Sequence, residues 1–237
     1  MTTVTDIVLV HSSDLHVDND PHQNPYGEDG TTGLRVVLEA GKAHNAHFVL
    51  LVGDVFDNNR QPPHILERST ELLADAGRPV LILPGNHDPV TPDSVYLRGA
   101  FAQLPHVHII GVRHEKAVHF PEFDVEFWGH AHTDYGNMVP LREPHPRSAR
   151  WHICLAHGHY EEDGAIPLRP SWLMSDAELH ATEADYVALG HWNRPVKVGP
   201  DKVNAYYSGS PDLAKTVNVV RLTHNGQVEV SREPIAW

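Results

Sequence analysis

The feature that most constrains the fold is a short apolar run that ends in polar residues, Val80-Leu81-Ile82-Leu83-Pro84-Gly85-Asn86-His87-Asp88. Apolar, partly β-branched residues followed by Pro-Gly are typical of a buried strand that ends in a turn. Open α/β sheets bind their ligands at the carboxyl ends of the strands. We therefore expect Asn86, His87 and Asp88 at such an edge, either as a plain polar turn or as part of a chemical site.

Similar apolar runs alternate with helical periodicity in the first half of the chain. Residues 7–10, 47–52 and 80–83 predict buried strands, and the apolar spacing within residues 33–46 and 62–77 predicts helices between them. Strands that alternate with helices in this way are typical of a parallel α/β sheet. The polar loop over residues 17–32 is expected to be a lid or a substrate-contacting element because of its length.

The second half of the chain has a different pattern. Residues 92–104 predict one helix, and Ser175 with Glu178 predicts a capping box at a short one. Residues 106–112 and 123–128 predict strands without a helix between them, so we expect antiparallel pairing there. Later strands are expected at residues 151–156, 185–189, 205–211, 217–222 and 228–230. Two packed sheets in one domain over residues 1–237 would account for them, with residues 203–237 as edge strands.

Charge and composition restrict the function. The chain has 31 acidic and 18 basic residues and a net charge of −13, which repels polyanions unless a local patch or bound cations reverse the field. The single cysteine, Cys154, lies in an apolar run and predicts a buried structural thiol, which fits a reducing cytoplasm. The first ten residues carry no basic region before a short apolar run, so we expect neither a signal peptide nor a membrane span.

Carboxylates, amides and histidines occur together at the predicted strand ends. In chain order they are Asp14, His16, Asp54, Asn86, His87, Asp88, His157, His191 and Asn193. Imidazole and oxygen ligands without thiolates suit manganese, iron or zinc, and the set is too large for one ion. Asp14 and His16 would point to the same side of an extended segment; the alternative is an Asp-capped turn beside a surface histidine.

The order of these motifs resembles the calcineurin-like metallophosphoesterases. The resemblance is carried by Asp14-Leu15-His16, Gly53-Asp54-Val55-Phe56-Asp57, Gly85-Asn86-His87-Asp88, a later histidine and Gly190-His191. Within that family, residues 186–191 (YVALGH) and 207–211 (YSGSP) are similar to the SbcD-type DNA-repair exonucleases. The resemblance implies an α/β fold, a four-layer α/β/β/α sandwich of two mixed β-sheets flanked by helices, with catalytic motifs between residues 14 and 193.

The resemblance also implies a role for each residue. The first of two divalent cations would be held by Asp14, His16 and Asp54, and the second by the bridging Asp54 with Asn86, His157 and His191. His87 would be the general acid for the leaving oxygen, and Asp88 would orient it by a hydrogen bond. The cations, manganese first with iron or zinc as alternatives, would lie about 4 Å apart and lower the pKa of a bridging water.

One motif departs from the family pattern. The family ends its last motif with Gly-His-x-His, whereas this chain has Gly190-His191-Trp192-Asn193. Asn193 can offer an amide oxygen to the first cation, but this is a poorer ligand than imidazole, so we expect a weaker first site. Gly129-His130-Ala131-His132 has the missing form but precedes His157. We therefore expect His130 and His132 at the rim, either touching substrate or in a solvated loop. His159 is expected to contact substrate or to support the ligands.

Three functions remain open from the sequence. The first is a metal-dependent, exonuclease-like phosphodiesterase for a nucleic acid or nucleotide. The second is a phosphatase or phosphodiesterase for small molecules, which the acidity and the shortness of the chain favour. The third is a non-catalytic interaction scaffold, against which the retained His87 argues. The expected partner is a phosphoester substrate, with a homodimer as an option and no membrane; an SbcC-like ATPase partner cannot be inferred.

Overall fold

The computed structural model describes residues 6–19, 30–162 and 171–237. The middle of the predicted lid over residues 17–32 lies outside these ranges. Within them, the strands form two six-stranded sheets and a separate two-stranded pair. None of the helices in these ranges is long and apolar enough to cross a membrane.

The first sheet contains the predicted alternation of strands and helices. From edge to edge its strands are β14 (Val228–Pro234), β13 (Thr216–Leu222), β1 (Ile7–Ser12), β2 (Phe48–Val52), β3 (Val80–Leu83) and β4 (Val107–Ile109). β1 to β4 are parallel neighbours, whereas β13 pairs antiparallel with β1 and β14. Helices α1 (Thr32–Ala43) and α2 (Pro63–Ala74) connect β1 to β2 and β2 to β3. The predicted helices within residues 33–46 and 62–77 are thus confirmed.

The second sheet is built from the middle of the chain and its later strands. From edge to edge these are β11 (Val196–Val198), β12 (Ala205–Tyr207), β10 (Tyr186–Gly190), β7 (Trp151–His157), β6 (Val125–Gly129) and β5 (Ala117–Phe120). The four inner strands are parallel and both edge strands pair antiparallel. The separate pair consists of β8 (His159–Tyr160) and β9 (Leu173–Met174).

Both sheets bury both faces, which explains the nearly continuous apolar composition of their parallel strands. Side chains such as Leu50 and Leu81 of the first sheet and Phe127 and Ile153 of the second lie in one core between the sheets. α1 and α2 pack against the other face of the first sheet. The outer face of the second is covered in part by Leu179 of α4 (Asp176–Ala181). The four-layer α/β/β/α sandwich is therefore confirmed, as is the capping box of Ser175 and Glu178.

The helix predicted over residues 92–104 is wrong. Gly99 has extended backbone (φ −76°, ψ 135°) and separates the short α3 (Val95–Arg98) from a 3₁₀ turn at Ala100–Gln103. A β-carbon at Gly99 would overlap the ring of Phe101. The chain therefore bends here to bury Phe101, and apolar spacing alone did not reveal the bend.

Several strand predictions for the second half are also wrong in pairing or extent. β4 joins the first sheet as a parallel neighbour of β3, where antiparallel pairing was expected. The strand β5 was not predicted. In residues 203–237, β12 and β13 are inner strands, and only β14 is an edge. The strand expected over residues 205–211 ends at Tyr207 and is followed by the helical turn α5 (Pro211–Ala214). The hairpin at Asn225-Gly226 is confirmed.

Candidate metal centre

Two left-handed turns bring the first carboxylates together. Asp14, His16 and Asp54 have φ values of 55°, 45° and 50°. The Asp14 N–H donates to the Gly53 carbonyl and the His16 N–H to the Asp54 carbonyl, both at 3.0 Å. Such backbone is strained for residues with a side chain and persists where surrounding contacts enforce it. The extended segment expected from Asp14 to His16 is therefore wrong, although the two side chains do converge.

Glycines let the strand ends approach one another. Gly53 has φ 78°, and a β-carbon there would overlap the imidazole of His157. A β-carbon at Gly85 would overlap the Asp54 carboxylate, and one at Gly190 would overlap the Val52 carbonyl. Side chains from the two sheets can meet only because these positions have none.

His157 is the residue of the second sheet at the centre of the site. It is buried, and its Nδ1 lies 3.0 Å from the Val52 carbonyl, which can only accept a hydrogen bond. Nδ1 therefore carries a proton in either charge state, and Nε2 is directed at Asp54 Oδ2 and Asn86 Oδ1, both 3.1 Å away, so that Nε2 can donate to them when protonated and can bind a cation when it is not. One nitrogen and two oxygens that can bind a cation thus lie close together. Suitable atoms of Asp54, His157 and His191 lie within 4.8 Å of one another.

A neighbouring cluster contains Asp14, His16 and Asp54, whose ligand atoms also lie within 4.8 Å of one another. His16 Nδ1 is 3.2 Å from Asp57 Oδ1, so Nε2 is left as the ligand atom. Oδ2 of Asp14 accepts from the His191 backbone N–H at 2.9 Å. The two clusters share Asp54, as expected for a carboxylate that bridges two cations.

The charges in the site are imbalanced without cations. Asp14 and Asp54 are each only 2% exposed. Burial opposes the charge of Asp54, yet the positive charges of His157, His87 and His16 hold its pKa well below its usual range. Burial raises the pKa of Asp14, and the charge of Asp54 adds to that rise. Burial would lower the pKa of His157, but the adjacent Asp54 outweighs it and raises the pKa to about 9. Buried carboxylates that retain a proton on a neighbouring imidazole fit a site for divalent cations.

The general-acid candidate His87 is oriented by Asp57, and not by Asp88 as expected. His87 Nδ1 is 2.9 Å from the Asp57 carbonyl, and its backbone N–H donates to Asp54 Oδ1 at 2.9 Å. Asp88 is fully buried and accepts hydrogen bonds from the Gly85 N–H, the Phe56 N–H and the Tyr96 hydroxyl at 2.7, 2.9 and 2.6 Å. Its carboxylate therefore links the turn after β3 to the segment after β2 and to α3.

Asp57 is the last residue of the Gly-Asp-x-x-Asp motif, and the sequence predicted no role for it in the site. Its carboxylate contacts His16 and its carbonyl contacts His87, so a single residue positions a predicted ligand and the predicted acid. The spacing Gly-Asp-x-x-Asp was the available signal. Nothing in the sequence indicated which imidazole Asp57 would contact.

The residues expected at the rim lie elsewhere. His130 is buried and its Nε2 is 3.4 Å from the Glu143 carbonyl. His132 is also buried, behind the predicted ligand His157, and its Nε2 is 2.9 Å from the His157 carbonyl. The expectation that both lie at the rim is therefore wrong. His157 and His191, which the family order singled out, lie beside Asp54, and their role as ligands stays a prediction.

His159 and Asn193 flank His191. The His159 ring lies 6.2 Å from the His191 ring, and its Nδ1 accepts from the Trp192 indole N–H at 2.9 Å. This placement favours a supporting role for His159. Asn193 is exposed two residues beyond His191, and its role as a ligand stays a prediction.

Two mixed sheets with a cluster of carboxylates and imidazoles at their common edge are typical of the metal-dependent phosphoesterases, a class of hydrolases that act on ester bonds. A family model confirms this class. The model for calcineurin-like phosphoesterases matches residues 7–195, so the chain belongs to the calcineurin-like phosphoesterase family.

Known relatives are similar at low identity. The chain is 25% identical over 237 residues to the DNA double-strand break repair protein Mre11 of Archaeoglobus fulgidus, covering 90% of this chain and 52% of the relative. It is 27% identical over 260 residues to the SbcD component of the nuclease SbcCD of Bacillus subtilis, covering 90% of this chain and 65% of the relative. The chain thus spans about half the length of the archaeal relative and somewhat more of the bacterial one.

A solved structure supports the fold. The crystal structure of TT1561 of Thermus thermophilus superposes with a TM-score of 0.61 at 14% identity, covering 96% of this chain and 99% of the other. At that identity the likeness concerns the architecture alone.

Proposed function

We propose that this chain is a phosphodiesterase that acts with two divalent cations at the edge shared by its sheets. The observation that carries the proposal is the pair of clusters that share Asp54, Asp14–His16–Asp54 and Asp54–His157–His191, each with its ligand atoms within 4.8 Å. Asn86 adds an amide oxygen 3.1 Å from His157 Nε2. Two clusters that share a carboxylate can hold two cations close together, as two-cation hydrolysis requires.

The ligand set favours manganese, with iron or zinc as alternatives, because it combines imidazole and oxygen atoms without thiolates. When bound, the two cations would supply an activated water and neutralise part of the charge of the phosphate. Asn193, if it contributes, gives the first site a neutral oxygen in place of the expected imidazole.

His87 is the residue that we propose delivers the proton to the leaving oxygen. Its Nδ1–H donates to the Asp57 carbonyl, so only the doubly protonated ring can also donate from Nε2. After donation the neutral ring keeps its proton on Nδ1 and its hydrogen bond to Asp57. The His87 side chain is 45% exposed, so a substrate can reach it. An acid placed in this way contributes roughly 10²–10⁴ in rate.

The preference for diesters is supported by the relatives, which are named as a nuclease component and a DNA repair protein. The alternative, a phosphatase or phosphodiesterase for small molecules, is favoured by the net charge of −13. The homodimer and the cytoplasmic location stay predictions.

The test compares leaving groups of different basicity. Manganese-loaded wild type and His87→Ala are assayed on single-stranded and duplex DNA, on bis(p-nitrophenyl) phosphate and on p-nitrophenyl phosphate. We expect His87→Ala to lose roughly 10²–10⁴ in kcat on DNA, whose alkoxide leaving group needs a proton, and less on the nitrophenyl diester. His119→Ala, an exposed histidine on β5, is the matched control.

Two outcomes would contradict the proposal. Unchanged DNA hydrolysis by His87→Ala would remove His87 as the acid. Faster hydrolysis of the monoester than of both diesters, with no DNA cleavage, would support the small-molecule alternative.

A further inference from the structure

Trp172 is a partly exposed tryptophan beside the metal centre. The centroid of its ring lies 5.5 Å from that of His191, at an angle of 75° between the planes. Its indole N–H donates to the Gly136 carbonyl at 2.9 Å, and its backbone N–H donates to Asn137 Oδ1 at 2.7 Å. The backbone at Trp172 has φ 58°, an uncommon value for a residue with a bulky side chain. The ring is therefore held in one orientation, at a strained position, next to a predicted ligand.

The surroundings of Trp172 differ from those of Trp192, which also lies beside His191. Tyr207 stacks on Trp192 at 4.5 Å with 7° between the planes, and the Arg194 guanidinium lies 5.7 Å from the Trp192 ring. Trp192 thus already has a stacking partner. Trp172 meets His132 and His191 at steep angles of 69° and 75°, and among the described residues no ring is stacked parallel to it.

Trp172 and the proposed acid His87 contact different ligand clusters. His87 belongs to a group with His16 and Asp57, the first cluster shares His16 with that group, and the second shares Asp54 with the first. The ring of the proposed acid packs against that of His16, at 4.8 Å between centroids, whereas Trp172 packs against His191 of the second cluster. A leaving group that takes its proton from His87 departs at the His87 end. Trp172, on the His191 side, is then available to the half of the diester that keeps the phosphate.

We infer that Trp172 is a stacking platform for a planar group in the retained half of the substrate, a nucleobase in a nucleotide diester. The inference rests on the phosphodiesterase function proposed above and assigns it a substrate class. Stacking on an aromatic side chain accepts any base, since every base has a π-face. This mode of recognition does not need a basic groove, and therefore suits a chain with a net charge of −13.

The test keeps the leaving group constant and changes only the retained group. Thymidine 5′-(p-nitrophenyl phosphate) retains a base, and methyl p-nitrophenyl phosphate retains a methyl group; both release p-nitrophenolate. We expect Trp172→Ala to raise the ratio of KM for the thymidine ester to KM for the methyl ester by roughly 5- to 150-fold, with little change in the ratio of kcat values. Trp172→Phe should keep most of the discrimination. Trp237→Ala, a tryptophan that packs on Lys215, is the matched control and should leave the ratio unchanged.

A purely structural role for Trp172 gives a different result. If Trp172 only supported His191, Trp172→Ala would change both esters by the same factor, and the ratio would stay constant. That outcome, or equal KM values of the two esters for wild type, would overturn the inference.

A binding measurement separates this inference from the proposed function. Calorimetric titration of manganese-loaded protein with thymidine 5′-monophosphate and with methyl phosphate requires no hydrolysis. We expect tighter binding of the nucleotide by wild type, and a loss of at least about fivefold in Trp172→Ala. Absence of hydrolysis by wild type would contradict the proposed function alone. Equal nucleotide affinity in wild type and Trp172→Ala, or no nucleotide binding at all, would contradict the stacking platform alone.

Discussion

Asp57 uses two different atoms to orient two imidazoles. Its carboxylate lies 3.2 Å from His16 Nδ1, and its backbone carbonyl lies 2.9 Å from His87 Nδ1. The hydrogen bond to His16 lowers the pKa of the Asp57 carboxyl, which keeps it charged. Partners of this kind fix the tautomer of a ligand histidine and increase its basicity. A substitution at Asp57 can therefore affect the ligand and the proposed acid to different extents.

Asp57→Asn should weaken binding of the first cation more than it disturbs the orientation of His87. The amide oxygen can still accept from His16, but without the negative charge that increases the basicity of the ring, whereas the backbone carbonyl that holds His87 is retained. We expect the affinity of the first cation to fall roughly 10- to 100-fold. Calorimetric titration with manganese measures this, with Asp75→Asn, a surface carboxylate paired with Lys42, as the control. Unchanged affinities for both cations would show that His16 does not depend on Asp57.

Asp88→Asn should act on stability, because the Asp88 carboxylate accepts three hydrogen bonds from the loop and from Tyr96. The amide of asparagine cannot satisfy all three donors, and one unsatisfied buried donor costs about 1–3 kcal/mol. Urea denaturation in chelator should show that decrease in the free energy of unfolding. Tyr96→Phe removes only the hydroxyl donor and should cost less. If Asp88→Asn left stability unchanged but impaired proton transfer, Asp88 would instead act by orienting His87.

At the scale of elements, the strand ends determine where chemistry can occur. β1, β2 and β3 of the first sheet and β7 and β10 of the second all end at the site. The glycines beside these ends are needed because a β-carbon at each of them would overlap a side chain or a backbone atom of a neighbouring strand end. Gly85 is the clearest case, since a β-carbon there would overlap both the carboxylate and the backbone nitrogen of Asp54.

Gly85→Ala should therefore displace Asp54 and damage both cation sites. Overpacking of this kind costs about 1–3 kcal/mol of stability, and we expect a loss of cation affinity of at least about tenfold. Gly33→Ala in α1 is the matched control, because its nearest neighbouring atom would be 3.4 Å from the new carbon. Manganese titration and urea denaturation of the two variants give the comparison. Equal affinity in Gly85→Ala and wild type would mean that Asp54 does not need its present position.

Local sequence carried enough information for the strand ends but not for strand neighbours. The runs before Asp14, Asp54 and Asn86 are apolar because those strands are buried on both faces, so their polar ends could be predicted. The partners of β4 and β13 depend on packing between distant segments, which leaves no periodic signal. Likewise, the three-residue spacing marked Asp57, but only the left-handed turns decide which side chains it meets.

At the scale of the whole molecule, the site joins the two sheets. Asp54 follows a strand of the first sheet and His157 ends a strand of the second, and their side chains meet at 3.1 Å. The sheets also share one apolar core. Ligand binding at the site should therefore be coupled to global unfolding, since separation of the sheets destroys the site.

Buried histidines should make this global stability dependent on pH. Burial lowers the pKa of His11 to about 3 and that of His132 to about 4. Each is neutral in the folded protein over a range in which the unfolded chain, with an ordinary pKa of about 6.5, takes up a proton. The stability that each provides is thus complete above about pH 6.5 and is lost as the pH falls toward the folded pKa. His157, whose pKa is raised to about 9, affects stability over a different pH range. The stability that it gives to the folded protein is complete below about pH 6.5 and is lost as the pH rises through 9.

Comparison of the free energy of unfolding of wild type and His11→Asn isolates the pH dependence that is due to His11. Asp14 and Asp88, whose pKa values are raised by burial, favour the folded state as the pH falls, so the total slope combines opposing contributions. Asparagine can retain a hydrogen bond to the Tyr186 hydroxyl, which lies 2.9 Å from His11 Nδ1, but it does not titrate. Between pH 6 and 4 we expect the free energy of unfolding in chelator to fall more steeply for wild type, by up to about 1.4 kcal/mol per pH unit. Urea denaturation across that range measures both slopes. Parallel profiles would mean that His11 titrates equally in the folded and unfolded protein, and that its burial on β1 carries no pH-dependent stability.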